Sequence, residues 1–96
     1  MSQDTCCYTF DDTVSMDEVE ESLFHSALAA ESLHGRARLR LEASFLLDPQ
    51  KRTCEVDTST EVGQTIVCIF TGFLTRLFGE DVFKVERMEN IITSTR

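Results

Sequence analysis

Two hydrophobic periods divide the chain. From Met16 to Leu33 the residues Met16, Val19, Leu23, Ala27, Ala30 and Leu33 recur at spacings of three and four, the apolar stripe of an amphipathic helix. Ser15 and Glu18 have the spacing of a capping box and Val14 and Val19 the positions of a hydrophobic staple, so this helix is predicted to begin at about residue 16. Asp17, Glu18, Glu20 and Glu21 crowd its first turns, where the positive end of the helix dipole favours them, and Gly35 is placed to close the other end in a left-handed conformation.

The period then changes to two. Ala37, Leu39, Leu41, Ala43, Phe45 and Leu47 alternate with Arg36, Arg38, Arg40, Glu42 and Ser44, which predicts one long half-buried strand over 36–47. Asp48 and Pro49 suit the first two positions of a type I turn, returning residues 53–57 antiparallel with Phe45 facing Cys54, Ala43 facing Val56, and Ser44 opposite Glu55 in solvent. Thr58 and Glu61 repeat the capping-box spacing at the head of a second helix, which carries Val62, Ile66, Ile69, Phe70, Phe73, Leu74 and Leu77 and stops at Gly79. A short strand over 81–88 follows with Phe83 and Val85 inward, and a polar, flexible tail is expected from about residue 89. At the other end, residues 6–10 are rich in strand formers and run into a turn signal at Asp11 and Asp12.

The expected order is strand, helix, strand, strand, helix, strand. Two right-handed βαβ units sharing a central hairpin give a ferredoxin-like βαββαβ sandwich of the α+β class, a four-stranded antiparallel sheet with both helices on one face. A chain of 96 residues suits one such domain. The first and third strands would be central and the second and fourth edges, so the arginine-bearing strand would be an edge.

Charge narrows the function classes. Seventeen acidic against nine basic residues, a formal net charge of −8, argue against direct binding to nucleic acid or to an anionic membrane, both of which need local positive potential. An RNA-binding sheet would also need exposed aromatic residues on its central strands, where Cys7, Thr9, Thr53, Glu55 and Asp57 stand instead. The start of the chain lacks the basic and apolar regions of a signal peptide, and no apolar run approaches membrane-spanning length, so a cytoplasmic location is expected. Cys6, Cys7, Cys54 and Cys68 form neither a CxxC pair nor a zinc spacing, and are read as small buried hydrophobes in a reducing compartment.

No catalytic signature emerges, and no cofactor or metal is expected. His25 follows Glu21 by one turn and His34 follows Glu31 by three residues, spacings that a charged helix supplies without any proton-transfer role. Asp4, Asp11 and Asp12 would raise rather than lower the pKa of Cys6 or Cys7, against a nucleophilic thiolate. The apolar excess says more. On the second helix Val67, Phe70, Leu74 and Phe78 widen the stripe beyond one core contact, and Phe24 and Leu28 do the same on the first, so a two-fold homodimer is expected, through these six residues or through edge strands. The leading expectation is a small acidic, non-enzymatic protein-interaction module acting as a homodimer, with a basic protein as possible partner. The alternative is a dimer, enzymatic or not, that binds a small molecule or anion through Arg36, Arg38, Arg40 and His34.

Overall fold

The structure, a computed structural model, describes residues 4–89. Strand β1 (Asp4–Phe10) turns into helix α1 (Met16–His34), which is followed directly by the short helix α2 (Arg36–Glu42). Strands β2 (Phe45–Asp48) and β3 (Thr53–Asp57) form a hairpin, then come helix α3 (Glu61–Phe78), one 3-10 turn (Glu80–Val82) and strand β4 (Phe83–Glu89). Every strand pair is antiparallel and the order is β2-β3-β1-β4, so β1 and β3 are central while β2 and β4 form the edges. The class is α+β, with one four-stranded antiparallel sheet and three helices among the described residues. Among the described residues no helix is long and apolar enough to cross a membrane. The tail expected from residue 89 lies outside the described residues, except Glu89, which ends β4.

The plain βαββαβ alternation is interrupted, because residues 36–42 are helix where the first seven of twelve residues of a long strand were expected. Ala, Leu, Arg and Glu are the strongest helix formers, and this stretch is made only of them, without one β-branched residue. Alternation also fits a two-turn helix that needs a single inward residue. Leu39 supplies it, packing on the core, while Leu41 projects outward at 85% exposure.

Both long helices end as their sequences imply. The Ser15 hydroxyl oxygen accepts from the Glu18 N–H at 3.4 Å, and Gly35 and Gly79 take φ of 92° and 90°, conformations closed to most side chains. The cap of α3 differs from the expected Thr58. Thr60 Oγ1 accepts from the Gly63 N–H at 3.0 Å and donates to the Glu42 carbonyl at 3.0 Å, tying α2 to the head of α3.

The β2–β3 pairing lies two residues from the expected register, with Phe45 opposite Val56, Leu47 opposite Cys54, and Leu46 rather than Ser44 opposite Glu55. The loop takes residues 49–52, because Asp48 Oδ1 accepts from both the Gln50 and Lys51 N–H groups and Arg52 turns the chain at φ 57°. A shift of two keeps every side chain on its expected face. Arg52 then reaches across the molecule and donates to the Asp11 carbonyl from Nε at 3.0 Å and Nη2 at 2.7 Å, with the Val14 carbonyl also accepting from Nη2. One guanidinium thus holds the β1–α1 turn against the hairpin.

Cys6, Tyr8 and Phe10 of β1 and Cys54 and Val56 of β3 point to the helix side and meet Val19, Leu23, Ala30, Val62, Ile66, Phe70 and Leu74 in one core. Tyr8 is its centre. The ring stands edge-on to Phe70 at 4.9 Å, and its hydroxyl shares a 2.7 Å hydrogen bond with Thr71 Oγ1, so the one polar atom of this buried aromatic is satisfied.

Candidate functional site

The sheet face turned away from the helices carries alternate residues of all four strands. Leu46, Glu55, Cys7 and Glu86 lie in one row across β2, β3, β1 and β4, and Asp48, Thr53, Thr9 and Lys84 in another. With Asp57 this gives four carboxylates against one ammonium. The field is felt at Cys7, whose thiol is pushed above its ordinary value first by desolvation and then by the Glu55 and Glu86 charges on either side.

Where this face meets edge strand β2, a shallow groove of about 320 Å3 is lined by Thr5, Ser44, Phe45, Leu46, Glu55 and Asp57. Phe45 and Leu46 are both exposed, and Glu55 and Asp57 enter no ion pair among the described residues. Exposed apolar surface beside unpaired carboxylates matches the two halves of a lysine or arginine side chain, an aliphatic stem and a cationic head.

The expected anion-binding row is not assembled. On a helix, residues two apart diverge by about 200°, so Arg36 and Arg40 lie outward with Ala37 and Leu41 while Arg38 turns toward α3. Arg38 grips both oxygens of Glu42 at 3.1 Å and one oxygen of Glu61 at 3.1 Å, which holds the Glu42 carboxyl below its ordinary range. Arg36 pairs with Glu31 at 3.2 Å, and His34 Nε2 is engaged with Thr65 Oγ1 at 2.8 Å. Two of the three guanidiniums are thus occupied by carboxylates, and the four residues do not converge on one point.

The expected helical interface is also corrected. Phe70 and Leu74 are 0% exposed, and Val67 and Phe78 are half-buried against the same core. The wide stripe of α3 arises because this helix packs at once on the sheet and on α1. Phe24 and Leu28 are exposed as expected, and Phe73 and Leu77 on α3 join them as exposed apolar residues. His25 stands edge-on to Phe73 at 6.4 Å.

Of the cysteines, Cys6 and Cys54 are core residues as expected and Cys7 is half-buried, while Cys68 is exposed on α3, against the expectation of burial. All four are free thiols, and no group of three metal-ligating side chains is found among the described residues. A second cavity, of about 280 Å3, lies between α3 and the β1–β4 pair, lined by Cys6, Thr58, Gln64, Val67 and Arg87. Thr58 Oγ1 is buried there without a hydrogen-bond partner among the described residues, and Arg87 is held by Asp4 at 3.3 Å. The groove's acids were legible as a solvent row of the sheet, but their partnership with Phe45 and Leu46 follows from the two-residue register shift and had no sequence signal. In comparisons with known proteins, no family model matches the chain, and no curated protein or solved structure matches it either.

Proposed function

We propose that the protein is a small, acidic, non-enzymatic interaction module that acts as a homodimer in the cytoplasm and binds a basic protein partner. The fold reading that goes with it is a ferredoxin-like arrangement in which α2 is an insertion in the crossover from β1 to β2. The observation that carries the binding role is the groove beside β2, where exposed Leu46 shares a sheet face of surplus negative charge with Glu55 and Asp57, which enter no ion pair among the described residues, and exposed Phe45 lines the groove at the strand's edge. An approaching cationic segment is steered by that field and held by burial of its aliphatic carbons.

The test is titration of the isotope-labelled protein with a lysine- and arginine-rich peptide, followed by backbone NMR. The expected shifts fall on Leu46, Glu55 and Asp57, the affinity drops with added salt, and Glu55→Lys with Asp57→Lys weakens binding roughly tenfold or more. Shifts confined to other surfaces, or binding indifferent to salt, would refute this role.

A further inference from the structure

Among the described residues strand β4 is hydrogen-bonded on one side only, to β1, and presents the longer of the two sheet edges, Phe83–Glu89 against Phe45–Asp48. Lys84, Val85, Glu86, Arg87 and Met88 are all exposed along it. Alternating charge of this kind discourages an arbitrary strand from adding to an edge. It does not discourage a strand of matching sequence.

Two copies of one edge placed side by side run antiparallel about a two-fold axis perpendicular to the sheet, which keeps both helical layers on the same side. Residues directly opposite each other must then come from the same face, so the axis passes through a residue rather than between two. Among registers that keep at least five β4 residues of each copy paired, the axis can pass through Val85, Glu86 or Arg87. Through Glu86 or Arg87, like charges meet on the axis. Through Val85, Val85 meets its own copy, each Lys84 lies opposite a Glu86, and each Phe83 lies opposite an Arg87, so no like charges face each other.

We infer that the homodimer forms by antiparallel pairing of β4 with a second β4 centred on Val85, making one eight-stranded sheet whose acidic open faces are continuous. This rests on the homodimer reading above and supplies its surface. It also moves the interface away from the helical residues expected from the sequence, since Phe70 and Leu74 are enclosed within one chain.

The test is size-exclusion with light scattering on the full chain at several concentrations. Lys84→Glu and Glu86→Lys each replace two attractive cross-strand pairs by two repulsive ones, so each is expected to weaken the dimer about tenfold or more. The exchanged double variant is expected to restore it to within about threefold. A second readout uses Val85→Cys in a background carrying Cys7→Ser and Cys68→Ser, where a short bifunctional thiol reagent should yield a covalent dimer. A wild-type chain that stays monomeric overturns both the homodimer and this pairing. A dimer indifferent to both charge reversals, or one that fails to cross-link through position 85, overturns the pairing alone.

Discussion

Gly63 shows how a single residue can be fixed by its neighbour rather than by its own element. Glycine weakens a helix interior, yet here it is buried in the first turn of α3, and a Cβ would overlap the Asp57 carbonyl oxygen and press on Thr60 Oγ1 at 3.2 Å. Gly63→Ala must therefore move backbone against backbone, and the expected cost is about 3 kcal/mol or more, beyond ordinary overpacking of a flexible core. Urea unfolding reads this directly, and an unchanged midpoint would mean that α3 does not sit so close to β3. The sequence marks the position only as a glycine inside a helical pattern, and Arg52 is more opaque still. Its two carbonyl partners lie about forty residues away, at Asp11 and Val14, and nothing in the local spelling of the hairpin announces that reach.

At the scale of elements, legibility followed the strength of the stop and start signals. The Ser15 cap, the acids behind it and the terminating glycines are short-range chemistry, so α1 and the end of α3 were readable. Residues 36–42 lack a breaker between them and the following strand formers, and their alternation was carried over into Phe45 and Leu47 as one strand. Intrinsic preference decided otherwise. The assignment has a sharp test at Ala37, which is exposed and free to report propensity alone. In a helix, Ala37→Val costs about 0.5 kcal/mol and Ala37→Gly about 1 kcal/mol. In a strand valine would stabilise. Thermal unfolding of the two variants gives the order, and a higher Tm for Ala37→Val would contradict α2. The Arg38 contacts to Glu42 and Glu61 help set α2 on α3, but all three side chains are substantially in water and the pairs add little beyond position.

For the whole molecule, burial of ionisable groups in the central strands ties stability to alkaline pH. Cys54 is completely enclosed, and desolvation, followed by the neighbouring Cys7, Cys6 and Glu55, pushes its thiol up from 9.0 to about 12. The unfolded chain releases this proton near its ordinary value while the folded one retains it, so stability is intact below about pH 9 and falls as pH rises above it. One such thiol accounts for up to about 1.4 kcal/mol per pH unit in that range, and the Tyr8 phenol, also raised by burial, extends the loss further up. Urea midpoints measured from about pH 8 to about pH 10 should therefore decline, and Cys54→Ala should flatten the slope even though it lowers the starting stability. A decline of equal slope in both proteins would show that the thiol ionises freely in the native state.

The position of β1 carries a consequence for how the molecule comes into being. Its ladders join Thr5 to Asp57 on one side and Asp4 to Glu89 on the other, so a strand early in the described chain is completed by one about eighty residues later. Everything from β1 to β4 must be made before that strand gains its second neighbour, and a contact so distant in sequence makes closure of the sheet a late and comparatively slow event. Until then a segment rich in cysteine and aromatic residues waits with one flank open, and it is in this nascent form that a chaperone would find most to hold.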